Sequence, residues 1–200
     1  MIDTVIFDLG QVLVRFDNRL FFERIAAATD RSIEDIHAAT HENDELLRLF
    51  DTGRIPPEEF YERAAEALGL DIGFGDFFVA YNDVFSVIVP SLALAKRLKP
   101  RTKLVLLSNT DVMRYTHIDE TFPELRIFDA TVLSFRFGRM KPDPEIYREA
   151  LRRAGTTAER AVFIDDLAEN VAAAERLGIT GILFTSPETL ESELSRLGLL

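Results

Sequence analysis

A doubly wound α/β fold, with a parallel Rossmann-like sheet and an inserted helical block, is predicted by three features of the sequence. Short runs of β-branched and aromatic residues recur along the chain. They are almost continuously apolar rather than alternating, as strands buried on both faces of a parallel sheet are. Helical patterns lie between most of them, and alternating strands and helices build a doubly wound sheet.

Residues 4–7 form the first run and end at Asp8-Leu9-Gly10; residues 103–107 (KLVLL) form the second and end at Ser108-Asn109-Thr110. Residues 130–133, 161–164 and 181–184 supply the third, fourth and fifth. A helix over residues 91–98 precedes the second strand. Another over 143–154 carries Pro144 in its first turn and Gly155 as its stop. A third over 167–177 is closed by Gly178.

From about residue 16 to 87 this rhythm breaks. No strand is expected there. Helical stretches are expected over 18–28, over 57–68 (opened by Pro56-Pro57, stopped by Gly69) and over 76–85, whose Phe77, Phe78, Tyr81 and Phe85 form an aromatic face suited to core packing. The expected organisation is therefore a core of residues 1–15 and 88–200 with a helical cap of 16–87 over the carboxyl ends of the strands. Open α/β sheets bind their ligands at those ends.

Composition narrows the function classes. Two hundred residues, 47% hydrophobic and 28% charged, are ordinary for a soluble globular protein. The net charge of −11 argues against a nucleic-acid or anionic-membrane partner, because phosphate backbones are held by clustered Lys and Arg. Cysteine is absent, which removes disulfides, thiolate metal sites and cysteine nucleophiles. Met1-Ile2-Asp3 leads straight into an apolar strand without a basic leader, and no apolar run reaches the length of a membrane span. The expectation is a cytoplasmic protein, a monomer by default, acting on a small soluble partner.

Asp8, Ser108 and the Asp165-Asp166 pair stand at strand ends, and Lys141 lies in the loop after the third strand. Each alone has an ordinary explanation as a turn residue, a helix cap or a solvated charge. Their convergence on one sheet edge points to chemistry. Two adjacent carboxylates facing a third repel one another unless a cation lies between them. Hard oxygen ligands suit magnesium, which can clamp a phosphoryl group. A carboxylate can act as nucleophile, giving an aspartyl-phosphate that water cleaves. Lys141 and the Ser108 hydroxyl can supply donors to the charge that builds on the phosphoryl oxygens.

VIFDLGQVL at residues 5–13, LLSNT at 106–110, GRMKPDPEIY at 138–147 and FIDDLAENV at 163–171 resemble, in order and spacing, the four motifs of the haloacid dehalogenase-like (HAD) hydrolases of the small helical cap type. The resemblance implies Asp8 as nucleophile and Lys141 as the charge-stabilising base that orients it. It implies Ser108 as a phosphate-binding hydroxyl, with Asn109 beside it on the substrate side. Mg2+ would be held by Asp8, Asp166, the Gly10 carbonyl, and Asp165 directly or through water, while Asn170 orients the acidic pair.

The departure is Gly10, where phosphatases of this superfamily usually carry the Asp that protonates the leaving oxygen and activates water. Losing general acid catalysis corresponds to roughly a hundredfold to ten-thousandfold in rate. The FDLGxVL form is nevertheless similar to sugar-phosphate phosphatases of the glucose-1-phosphatase-like kind, and Asp17 on the outgoing loop is a candidate substitute. The expected activity is phosphatase action on small phosphorylated metabolites, sugar phosphates foremost. A non-catalytic HAD-like binding module is the alternative, and 2-haloacid dehalogenation ranks lower because it has no use for Asp165-Asp166. His37, His41 and His117 are too scattered for a metal motif, Arg136 and Arg139 read as loop charges beside Phe135 and Phe137, and residues 42–45 read as an acidic helix start.

Overall fold

A computed structural model describes residues 1–29 and 31–200, apart from the side chains of His41 and Glu42. Its centre is a five-stranded parallel sheet of β1 (Thr4–Phe7), β4 (Lys103–Ser108), β5 (Ala130–Leu133), β6 (Ala161–Asp165) and β7 (Thr180–Leu183), in the order β5-β4-β1-β6-β7. The chain starts in the middle and winds outward both ways. β1 pairs with β4 on one side and β6 on the other, Phe7 lying opposite Leu106 and Ile164. That register brings the residues after β1 level with the ends of β4 and β6.

Successive strand residues face opposite layers. Val5 and Phe7, with Leu104, Leu106, Val162 and Ile164, pack against α6 (Val89–Leu98), α7 (Val112–Thr121) and α11 (Pro187–Arg196). Ile6, Val105, Leu107 and Phe163 face the other layer, α9 (Pro144–Ala154) and α10 (Ala168–Glu175). Asp143 caps α9 by accepting from the Glu145 N–H, Pro144 occupies its first turn, and Gly155 ends it at φ 64°.

Residues 18–82 hold α1 (Asn18–Ala27), α2 (Ile33–Glu42), α3 (Asp44–Asp51), α4 (Pro57–Leu68) and α5 (Phe74–Asn82), which enclose a separate apolar cluster. Phe21, Phe50, Phe60, Phe77 and Tyr81 are its bulk, Phe50 and Phe60 stacking at 4.2 Å, and Met113 of α7 joins it from below. The helix expected over 57–68 is found with those bounds. The acidic stretch 42–45 is not one helix start: Glu42 ends α2, and Asp44 and Glu45 open α3.

Two expectations fail where segments are shortest. Residues 16–87 were expected to hold no strand, yet β2 (Val14–Phe16) and β3 (Phe85–Val87) pair antiparallel where the chain enters and leaves the helical block. Three residues carry too little periodicity to read. Phe85 therefore leaves the expected aromatic helix for β3, facing Phe16. The short helix α8 (Ser134–Phe137) follows β5. Among the described residues no helix is long and apolar enough to cross a membrane.

The helical block touches the core at Gly53. A Cβ there would lie 2.1 Å from the Phe135 carbonyl oxygen, and the backbone holds φ at 66°. Gly69 has nearly the same φ, 64°, with nothing within 4 Å. Gly69→Ala is expected to lower stability by about 1 kcal/mol from backbone strain alone, and Gly53→Ala by about 2–3 kcal/mol because the contact must also open. Urea unfolding of both variants checks this; equal losses would remove the close approach as the cause.

Candidate active site

Three strands deliver acidic or hydroxylic residues to one edge. Asp8 follows β1, its N–H donating to the Ile164 carbonyl at 2.9 Å, so the β1–β6 ladder continues one residue past the strand. Asp165 is the last residue of β6, fully buried, and Asp166 is half-buried beside it. Ser108 ends β4 and is also buried.

Lys141 ties the set together. Its ammonium lies 2.7 Å from Asp8 Oδ1 and 2.6 Å from Asp165 Oδ2, with the side chain 1% exposed. A buried cation between two buried carboxylates has no water to substitute for either partner, so its position is dictated by both. Asp165 is held further: Leu167 N–H donates to Oδ1 at 2.8 Å and Asn170 Nδ2 to both oxygens at 3.0 and 3.2 Å. Asn170 is in turn braced by Tyr147, whose hydroxyl donates to its carbonyl at 3.0 Å. Sequence reasoning missed Tyr147, although the Y of KPDPEIY lies in the motif itself.

Asn109, expected on the substrate side, has both ends of its amide on the Lys141 backbone. Nδ2 donates to the Lys141 carbonyl at 2.9 Å and Oδ1 accepts the Lys141 N–H at 2.7 Å. Its side chain therefore positions Lys141. Ser108 Oγ has only a long 3.4 Å contact with the Asn109 carbonyl, which leaves the hydroxyl able to turn to another partner. Thr110 is anchored through Ser134 by a reciprocal pair at 2.8 and 2.9 Å.

The charges do not balance. Carboxylate oxygens of Asp8, Asp165 and Asp166 lie within 4.8 Å of one another, and Lys141 offsets one of three negative charges. Burial pushes the Asp8 carboxyl up to about 6, against the pull of Lys141 and with help from Asp165. Asp166 is also raised, by burial and by Asp165. Burial works against the Lys141 charge, but the two carboxylates hold its pKa above the ordinary lysine value. Asp165 accepts from Lys141, Asn170 and Leu167, and Asp8, Asp165 and Asp166 could each offer one oxygen to a shared cation. The Gly10 carbonyl accepts no backbone hydrogen bond among the described residues. An oxygen set with surplus negative charge fits a hard divalent ion.

The other candidates lie elsewhere. Asp17 caps α1, accepting from the Arg19 N–H at 3.0 Å, and is not held toward the strand ends. Arg139 pairs with Asp143 at 3.0 Å, and Arg136 lies over Tyr115 and Phe135. His37 meets Phe22, His117 lies near Phe78 and Phe85, and the His41 side chain is outside the described residues. At Gly10 a Cβ would come to 3.1 Å from the edge of the Phe16 ring, a tight contact that the ring must yield to by a few tenths of an ångström.

A family model described as haloacid dehalogenase-like hydrolase matches residues 2–178. A sesquiterpene phosphatase of Aspergillus oryzae is 27% identical over 196 residues, 96% of this chain and 94% of that one. A D-ribitol-5-phosphate phosphatase of Bacteroides thetaiotaomicron is 23% identical over 189 residues, 89% of each. A HAD family enzyme from the same bacterium, solved with magnesium and inorganic phosphate, superposes with a TM-score of 0.82 at 25% identity, covering 92% of this chain and 95% of that one.

Removing the central cation leaves two buried carboxylates facing each other. Lys141→Met is expected to lower stability by about 3–5 kcal/mol at pH 8. The loss should shrink at pH 5: Asp8, raised to about 6 even beside Lys141, takes up a proton there and the repulsion disappears. A raised folded-state pKa favours the fold at low pH and loses that advantage as pH climbs through it. Urea unfolding at the two pH values measures the difference; a loss independent of pH would contradict the charge argument.

Proposed function

The chain belongs to the haloacid dehalogenase-like hydrolases, and within that family we infer that it is a magnesium-dependent phosphatase of small phosphate esters with Asp8 as nucleophile. One observation carries the reading: Lys141 bridges Asp8 and Asp165 at 2.7 and 2.6 Å, with Asp166 completing a carboxylate trio at the end of the sheet. Dehalogenation at an attacking Asp would leave that trio without a task. The names of the two phosphatase relatives, and the magnesium and phosphate in the solved HAD enzyme, support the same choice.

Asp8 attacks phosphorus through one carboxylate oxygen; the P–O bond to the alcohol breaks, and the alkoxide leaves with a proton drawn from solvent. The aspartyl-phosphate on Asp8 is then opened by water at phosphorus, returning the carboxylate and releasing inorganic phosphate. Lys141 fixes the angle of Asp8 and places positive charge beside the phosphoryl oxygens, and the Ser108 hydroxyl turns to donate to one of them. Asp165 holds Lys141, and Asn170 holds Asp165. Asp8, Asp166 and the Gly10 carbonyl are the groups that would hold magnesium, which when bound neutralises the surplus carboxylate charge and polarises the phosphoryl group. The helical block of residues 16–87 serves as the cap that excludes water over the 1–15 and 88–200 core.

Gly10 favours a second reading, a HAD-like module that binds without turnover. Four intact charged groups at the strand ends weigh against it. With no side chain at Gly10 to protonate the leaving oxygen, the more acidic alcohols and acyl phosphates should react fastest. The groups named so far touch only the phosphoryl part, and esters of quite different alcohols satisfy them.

Phosphate release from acetyl phosphate and p-nitrophenyl phosphate is expected to require magnesium, stop with EDTA and vanish in Asp8→Asn; release that survives the mutation would exclude Asp8. Magnesium should also bind more weakly as pH falls through about 6, where it must displace a proton from Asp8. Calorimetric titration at pH 5.5 and 7.5 reads this directly, and equal affinities would place the ion away from Asp8. Gly10→Asp alone should gain little on poor leaving groups. Combined with Phe16→Ala it should gain roughly tenfold or more, a contrast visible in kcat for an alkyl phosphate.

A further inference from the structure

The helical block meets the core across a cavity of about 880 Å³. Pockets for small ligands span roughly 300–1,000 Å³, so a phosphate ester of several carbons fits this space. One wall is α3 with the turn that follows it, and the other is the 138–143 loop. Lys141 belongs to the second wall, and its ammonium lies 2.7 Å from Asp8. The cavity therefore adjoins the residue that holds the nucleophile, with room for the alcohol part of an ester.

Two arginines on the α3 wall have no partner. Arg48 and Arg54 line the cavity, and among the described residues neither side chain makes an ion pair or a hydrogen bond. Arg48 follows Asp44 by four residues and Glu45 by three, the spacings at which helical ion pairs form, yet neither pair is made.

Their backbone is locked. Gly53 ends the helix at φ 66°, its N–H donating to the Phe50 carbonyl at 2.9 Å, and the Arg54 N–H donates to the Leu49 carbonyl at 2.9 Å. This paired closure is a common way for a helix to stop on glycine. The Thr52 hydroxyl adds a bond to the Arg48 carbonyl at 2.7 Å. Gly53 also runs against the Phe135 carbonyl, three residues before Gly138 opens the other wall. Both arginines thus leave a fixed stem beside the Lys141 loop.

The acidic residues of these walls offset the two arginines only in part. Asp143 is paired with Arg139 at 3.0 Å. Asp51 is pushed up to about 7 by burial and by Asp111, against the pull of Arg114, so near neutrality it is partly uncharged. Asp44 and Glu45 lie in the first turn of α3, at the end away from Gly53. A guanidinium has donors and no acceptor, set in a planar fork that matches a carboxylate or a phosphate. Lys141 and Ser108 already serve the transferred phosphoryl group, so an anion at these forks is a second one.

Resting on the reading of Asp8 as nucleophile, we propose that Arg48 and Arg54 bind a second anionic group, carboxylate or phosphate, carried on the alcohol part of the substrate. A neutral sugar phosphate satisfies the strand-end groups but leaves both forks facing hydroxyls.

The test is magnesium-dependent hydrolysis of two series that differ only at the far end. The first is sorbitol 6-phosphate, 6-phosphogluconate and sorbitol 1,6-bisphosphate; the second is glycerol 3-phosphate, 3-phosphoglycerate and glycerol 1,3-bisphosphate. In at least one series the anionic ends should exceed the neutral one in kcat/KM by roughly tenfold or more, and the better of the two identifies the anion. Arg48→Gln and Arg54→Gln, which alter exposed side chains, should each shrink that ratio toward one, with acetyl phosphate as the reference. An equal loss on acetyl phosphate would mean that the arginines only draw any phosphate inward, and overturns the proposal. So does a preference that both variants retain. Neutral ends that react as well as anionic ones in both series overturn it too, and leave Asp8 standing. Absence of any turnover overturns the nucleophile instead. Calorimetry of 6-phosphogluconate and sorbitol 1,6-bisphosphate on Asp8→Asn protein then decides: binding weakened by Arg48→Gln or Arg54→Gln supports the second-anion site, and binding that is absent or indifferent to them counts against it.

Discussion

A single buried ammonium organises this molecule's functional edge. Lys141 touches carboxylates from two adjacent strands, and each of those carboxylates is fixed by the sheet rather than by a flexible loop. With the side chain 1% exposed, removing Lys141 leaves two buried carboxylates without a counter-charge. The surrounding architecture serves that arrangement: Asn109 grips the Lys141 backbone from the end of β4, and Asn170 with Leu167 grips Asp165 from the start of α10. Tyr147 reaches across from α9 to steady Asn170. The end of β4 and the start of α10 thus constrain the Lys141–Asp165 pair from two sides.

Much of this was legible in the sequence because parallel strands announce themselves by composition. Buried on both faces, β1, β4 and β6 read as apolar runs, and the polar residue that closes each run marks where the strand meets its ligand edge. Asp8, Ser108 and Asp165 were found that way. Lys141 has no periodicity around it and was legible because the loop after the third strand reaches the same sheet edge. What stayed hidden obeys no local rule. β2 and β3 are three residues each and exist through pairing with one another across the whole helical block. α7 and α11, set after strands and capped by Asp111 and Ser186, carry mixed polar sequences whose buried stripes show only once the sheet is in place. The bracing role of the Asn109 side chain depends on a contact thirty-two residues away in sequence, which no pattern in one chain reveals.

Gly10 shows how one position couples chemistry to packing. Its missing side chain looks, in sequence, like a vacancy for a proton donor. In the fold a side chain there would press on the edge of the Phe16 ring, itself paired edge-on with Phe85 across the β2–β3 ribbon. Replacing the glycine therefore disturbs the join between the core and the helical block as well as the acid–base inventory of the site.

The β2–β3 ribbon carries a mechanical consequence. The chain crosses between the core and the helical block twice, and the two crossings are hydrogen-bonded to each other, Val14 opposite Val87 and Phe16 opposite Phe85. Two separate linkers would allow the block to twist and slide as well as tilt. A paired strap holds the two crossings together, and with Met113 of α7 set in the helical cluster and the Tyr81 hydroxyl donating to Asp111, it fixes the block against the core at more than one point.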